Sequence, residues 1–326
     1  MSKKVSTNEL ELNLSQLEAV EHVKGPCMVI AGPGSGKTAV IAERLRRLTE
    51  EKRVPGKNIL VVTFTRDAAE EMKKRYLSMT EAKRTDITFG TFHSIFYRMV
   101  TEAYGLKPGC VADPQEQYRI LKEIIIKEKL DAETEPEILE GILSDISKVK
   151  TSDLDPDTYR SANCSKEVFG RIFRKYREYL LKNDRIDFDD MLVRALDVLR
   201  EMPDLCTYWQ EKYKYILIDE FQDINLLQYE IISILSQPEE NVFCVGDDDQ
   251  SIYGFRGAAP DLMKRFLKDH VDCPKKNLSH NYRCGENITA VAAKLMQGVK
   301  DREAKNIVSG TGEAGSVVIK RYKNRE

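Results

Sequence analysis

Ala31, Gly32, Pro33, Gly34, Ser35, Gly36, Lys37 and Thr38 follow the apolar run CMVI and open a stretch of helical periodicity. No other feature constrains the fold of this chain as tightly. A strand, a glycine-rich turn and a helix in that order make a phosphate-binding loop. The glycines let backbone N–H groups close around phosphate oxygens, and the helix N-terminus adds its partial positive charge. In such a loop Lys37 reaches the β- and γ-phosphates of a nucleotide and Thr38 ligates Mg²⁺. Ala31 stands where the pattern usually begins with glycine.

Six short segments rich in Val, Ile, Phe and Thr read as buried strands: Cys27–Ala31, Asn58–Thr63, Asp86–Thr91, Tyr215–Asp219, Asn241–Gly246 and Lys276–His280. Helical stretches such as Lys37–Thr49 and Asp67–Leu77 follow several of them. Near-continuous apolar strands alternating with helices predict an α/β fold, a parallel sheet covered on both faces. From about Pro114 to Leu199 the text turns charged and helix-forming without a convincing strand, as in QEQYRILKEIIIKEKL. Most of it reads as a helical subdomain inserted into the sheet.

The strand YILI runs into Asp219 and Glu220. The carboxyl edge of a parallel strand is where an α/β sheet places ligand chemistry. Asp219 suits Mg²⁺ coordination, and Glu220 suits a base that orients an attacking water. Two acids after an apolar run are weak evidence alone, since strand ends are often acidic for solubility. Beside a phosphate loop they point to an ATPase.

Further segments narrow the class. Asn13-Leu-Ser-Gln16 precedes the loop; Thr63-Phe64-Thr65 and Gly90-Thr91-Phe92-His93-Ser94 follow the second and third strands. Asp187-Phe188-Asp189-Asp190, Asp219-Glu220-Phe221-Gln222-Asp223, Val245 through Gln250 to Ala258, and Asn281-Tyr282-Arg283 come next. Together with the loop, these segments resemble, in order and rough spacing, the Q motif and motifs Ia to IV of superfamily 1 DNA helicases of the UvrD/Rep/PcrA type.

That resemblance implies a RecA-like P-loop domain (residues 1–110 and 186–280), an inserted helical subdomain (111–185) and the start of a second RecA-like domain (281–326). It implies ATP and Mg²⁺ as cofactors, and 3′-to-5′ movement on single-stranded DNA and at duplex junctions, in a repair or replication setting. Gln16 would read the adenine edge, Tyr282 would stack on the base, Gln250 would sense the γ-phosphate, and Arg283 would act as an arginine finger. Phe64, His93, Tyr253, Phe255 and Arg256 would contact DNA, a set that fits sequence-independent binding by aromatic faces and cations. Read alone, Phe64 and Phe255 are more often core aromatics, His93 a polar cap and Arg256 a solvated charge. Ala39, Asp67, Phe255 and Cys284 depart from residues common in relatives (Arg, Lys, Trp and Ser), and none of these removes catalytic chemistry.

Composition sets limits. The formal net charge of −2 lacks the basic excess of many nucleic-acid binders, so any DNA must lie in a local groove. The apolar runs are strand-sized and too short to span a bilayer, and no apolar segment backs the N-terminal lysines as a secretory signal would. Seven cysteines without a CxxC pair argue against a disulfide framework or zinc site and for a reducing cytoplasm. Relatives continue through motifs V and VI, whereas this chain stops at Glu326 after one expected strand, Ser316–Ile319. Three alternatives remain at this level: an ATP-responsive DNA-binding module without motor activity, the helicase part of a helicase–nuclease, and a small-molecule kinase sharing only the loop.

Overall fold

Apolar side chains along the four central strands of six build a sheet with a core on each face. In the computed structural model, which describes residues 12–152, 154–251, 261–299, 302–303 and 305–320, the strands are β1 (Cys27–Ala31), β2 (Ile59–Thr63), β3 (Thr88–Thr91), β4 (Tyr215–Ile218), β5 (Val242–Gly246) and β6 (Lys275–Leu278). All neighbours are parallel, in the order β3-β2-β4-β5-β1-β6. Met28, Ile30, Leu60, Val62, Ile216, Ile218, Val242 and Cys244 enter one core. Their neighbours Cys27, Val29, Ile59, Val61, Leu217, Phe243 and Val245 enter the other. That two-sided burial is why these strands read as unbroken apolar runs.

Helices α1 (Leu14–Glu21), α2 (Lys37–Arg46) and α3 (Arg66–Met79) cover the second face. The expected helix Lys37–Thr49 ends in a π-helical turn over Arg47–Glu51. The first face takes α4 (Phe92–Tyr104), α8 (Phe188–Glu201), α9 (Pro203–Lys212), α10 (Leu226–Leu235) and α11 (Asp261–Asp269). Because α2 leaves β1 toward one face and α11 follows β5 on the other, a crevice opens at the carboxyl ends of these adjacent strands. Open α/β sheets bind ligands there.

Between α4 and α8 lie α5 (Pro114–Lys127), α6 (Pro136–Thr151) and α7 (Lys166–Lys182), packed on a separate core around Ile120, Leu121, Ile142, Phe169, Ile172 and Tyr176. The two ends of this excursion are tied together. Ala112 N–H donates to Ile186 O at 2.8 Å and Ile186 N–H to Cys110 O at 3.0 Å. The helical text running to Leu199 therefore divides at Ile186, and α8 belongs with the sheet. Lys150 on α6 joins the two bodies. Its ammonium lies 2.6 Å from Asp187 and 2.8 Å from Asp190, with its side chain 6 % exposed.

The expected sixth strand stops at Leu278 because the chain leaves the sheet there. β7 (His280–Asn281) pairs instead with β8 (Val308–Ser309), beyond α12 (Glu286–Met296). The expected strand Ser316–Ile319 does not form: residues 312–320 carry no regular structure, and Val318 and Ile319 are 73 % and 85 % exposed. A β-branched run becomes a strand only where a neighbour satisfies its backbone groups, and among the described residues no strand pairs with this one. Among the described residues no helix is long and apolar enough to cross a membrane. All seven cysteines are free thiols.

Candidate functional site

The loop from Gly32 to Gly36 turns at the carboxyl end of β1 with left-handed glycines at Gly34 and Gly36, φ +67° and +85°. Close packing forbids a side chain at both. A Cβ on Gly36 would lie 2.6 Å from Gln16 Nε2, and one on Gly34 would lie 2.7 Å from Arg283 Cβ. Ser35 is buried and its hydroxyl donates to Gly32 O at 2.7 Å. Two neighbours hold the loop from outside. Gln16 Nε2 donates to Ser35 O at 2.9 Å, and Tyr282 N–H donates to Gly34 O at 2.8 Å. Ala31 is the buried end of β1, Pro33 is exposed, and Lys37 and Thr38 open α2 half-buried.

Gln16 also accepts Asn13 N–H at 3.0 Å, closing the capping box that starts α1. Asn13 Nδ2 donates to Tyr282 Oη at 2.7 Å. The segments carrying Gln16, the loop and Tyr282 thus converge although the chain separates them widely. Asn281 organises the last of them, its Oδ1 accepting the N–H groups of Arg283 and Cys284, each at 2.8 Å. Arg283 is exposed beside the loop.

Across the crevice β4 delivers Asp219 and Glu220. Glu220 holds a left-handed backbone, φ +51°, a conformation that non-glycine residues adopt seldom. Its Oε2 lies 2.7 Å from Lys37 Nζ and also accepts Gln222 Nε2 at 2.9 Å. Gln222 Oε1 accepts Asp247 N–H at 2.9 Å, and Asp247 accepts the side-chain amide of Gln250. A continuous hydrogen-bonded path therefore runs from the loop lysine to the residues closing β5.

Three carboxylates, Asp219, Glu220 and Asp223, face the single ammonium of Lys37. Burial, with the Glu220 charge in second place, pushes both the Asp219 and the Asp223 carboxyls up to about 6. This excess of hard oxygen donors fits a divalent cation. No cluster of three His, Cys, Asp or Glu forms a metal cage among the described residues, and Mg²⁺ needs none. It is ordinarily held by one or two carboxylates, waters and substrate phosphates.

Phe64 and His93 sit just past the carboxyl ends of the paired strands β2 and β3, whose last partners are Thr63 and Thr91. Both are half-buried. The His93 ring stands edge-on to Phe188, centroids 5.6 Å apart, and burial lowers its pKa. With strands spaced about 4.8 Å apart, Phe64 lies three strand positions and His93 four from the phosphate loop, on the same end of the sheet. Tyr253, Phe255 and Arg256 lie outside the described residues. Gln222, Asp247, Asn281, Arg302 and Lys305 carry contacts that the residue pattern alone did not single out. The first three stand inside segments already recognised, while nothing local marks the last two.

The ATP-dependent DNA helicase PcrA of Staphylococcus epidermidis is 32 % identical to this chain over 318 residues, 95 % of the chain and 43 % of the relative. The protein YjcD of Bacillus subtilis is 36 % identical over 304 residues, 91 % of the chain and 40 % of the relative. PcrA of Staphylococcus aureus is 31 % identical over 301 residues, 91 % of the chain and 41 % of the relative. The chain thus spans about two-fifths of the length of these curated relatives, from 40 % to 43 %. Matching over residues 12–271, this chain belongs to the family described as UvrD/REP helicase N-terminal domain.

Proposed function

We propose that this chain is the ATP-binding half of a 3′-to-5′ DNA helicase motor, which hydrolyses ATP while gripping single-stranded DNA along the carboxyl end of its sheet. The observation that carries the reading is the Lys37–Glu220 contact at 2.7 Å, wired through Gln222 and Asp247 to Gln250. A γ-phosphate entering the loop competes for the Lys37 ammonium and frees Glu220 to orient water. Glu220 then accepts the proton as water attacks the terminal phosphorus and the bond to the ADP oxygen breaks. Thr38 and Asp219 would hold Mg²⁺, which when bound neutralises charge on the phosphates. Gln16 and Tyr282 would flank the adenine, and Gln250 and Arg283 would sense the terminal phosphate.

Phe64, His93, Tyr253, Phe255 and Arg256 would contact the DNA. The relatives named as ATP-dependent DNA helicases support that substrate. Free thiols throughout suit a reducing, cytoplasmic setting. The test is fluorescence titration of the chain with Mg-nucleotide and labelled oligo-dT, then strand displacement by the protein that contains it. Expected are Lys37-dependent nucleotide binding and unwinding of 3′-tailed but not 5′-tailed duplex. A folded chain that binds neither ligand would overturn the reading, and a phosphorylated small molecule as product would make it a kinase.

A further inference from the structure

Three aspartates close the carboxyl end of β5, and the strip following α12 covers them. Lys305 Nζ contacts carboxylate oxygens of Asp247, Asp248 and Asp249, the last at 2.9 Å. Arg302 grips Asp249 with two nitrogens, Nε at 2.8 Å, and Glu303 N–H donates to Asp248 at 2.7 Å. The Lys305 side chain is 4 % exposed and that of Asp247 0 %. Surface ion pairs are worth little, but a buried carboxylate depends on its cation.

Asp247 is the pivot of this cluster. One carboxylate oxygen takes the Lys305 ammonium and the other takes the Gln250 amide. Its backbone N–H donates to Gln222, which in turn donates to Glu220. One residue therefore joins Lys305 both to Gln250 and to the Glu220–Lys37 pair. The strip then continues toward the nucleotide loop. A methyl on Gly32 would collide with Ile307, and β8 pairs with β7, which leads directly into Tyr282 and Arg283.

We propose that Lys305 is a positioning residue for the nucleotide site: by holding Asp247 as a charged acceptor it fixes the amide of Gln250, and it ties that amide to the segment that leads from β7 into Tyr282 and Arg283. The proposal rests on the nucleotide-sensing reading above. Without the ammonium, a carboxylate buried at Asp247 is unstable where it lies. It turns toward solvent or ceases to be a charged acceptor, and Gln250 loses its fixed direction. A residue that only stapled the strip in place would lower stability without altering how the site tells ATP from ADP.

The experiment measures Kd for fluorescent ADP and for a fluorescent, slowly hydrolysed ATP analogue with Mg²⁺, on the 326-residue chain. The readout is the ratio of the two, with folding followed by thermal melting. Lys305→Met should lower the preference for the ATP analogue roughly tenfold, the weight of one charge-assisted hydrogen bond. Gln250→Ala should match it, and Lys305→Arg should restore most of the preference. Should Lys305→Met not fold, the double variant Asp247→Asn with Lys305→Met removes the buried charge from both sides, and the same loss is expected. A folded Lys305→Met or double variant with the parent ratio, while Gln250→Ala lowers it, refutes the role of Lys305. If Gln250→Ala itself leaves the ratio unchanged, the sensing role of Gln250 fails and the proposal falls with it.

Discussion

The Lys37 ammonium lies 2.7 Å from the Glu220 carboxylate, across 183 positions of sequence, so loop cation and strand-end acid share one contact. Each is expected to matter at a different stage. Lys37→Ala should abolish measurable binding of fluorescent Mg-nucleotide, because the charge that neutralises the β- and γ-phosphates is gone. Glu220→Gln should retain Mg-nucleotide while hydrolysis falls by two or more orders of magnitude, about the contribution of a positioned general base. Phosphate release at the parent rate from the glutamine variant would move the base elsewhere.

Asp219 predicts a pH-dependent stability. Burial raises its carboxyl to about 6 in the folded protein, above the unfolded value of about 3.9. Between those values the folded state binds more protons, so stability falls as pH rises through the window, and the penalty is complete above it. Asp219→Asn should therefore stabilise the protein at pH 7 by roughly 1–3 kcal/mol and give no gain near pH 4. Urea melts at the two pH values check this, and equal gains at both would show that ionisation is not the cause.

Lys150 predicts a stability effect far from the nucleotide. It is the buried cation between Asp187 and Asp190, with its ammonium 5.4 Å from the centre of the Tyr176 ring. Lys150→Met leaves both carboxylates without their cation, which should cost about 3–5 kcal/mol and loosen α5–α7 against the sheet. Lys150→Arg should recover much of it. Chemical denaturation gives the size, and faster proteolysis near residues 111 and 185 gives the place.

The proposed DNA contacts predict two kinds of binding loss. Phe64→Ala and Phe255→Ala should each weaken oligo-dT binding about tenfold, since stacking is worth about 1–3 kcal/mol per base. Arg256→Ala should flatten the salt dependence by about one phosphate contact. His93, held neutral at physiological pH by its lowered pKa, should weaken binding on mutation to alanine without changing the salt slope. Anisotropy titrations at several salt concentrations separate the two behaviours. Unchanged affinity in all four folded variants would remove these residues as DNA contacts.

By itself the sequence determined what depends on neighbours within a few residues. The glycine-rich turn, the four apolar central strands and the acids after YILI are readable because backbone conformation and two-sided burial act locally and leave a pattern in the text. The run Ser316–Ile319 shows where that logic stops. Its β-branched residues have strand propensity, but a strand needs a paired neighbour, and the neighbour is chosen by the rest of the molecule. The tertiary structure alone decided that Ile186 closes the helical excursion by bonding back to Cys110 and Ala112, and that Gln16 meets Ser35. It also decided that Gln222 links Glu220 to Asp247, and that Lys305 closes over the aspartates after β5. Most of those contacts join groups far apart along the chain, and a lysine carries no local mark of the carboxylates it will neutralise. Its partners are set by which strands lie side by side in the sheet and by the cost of burying a charge alone.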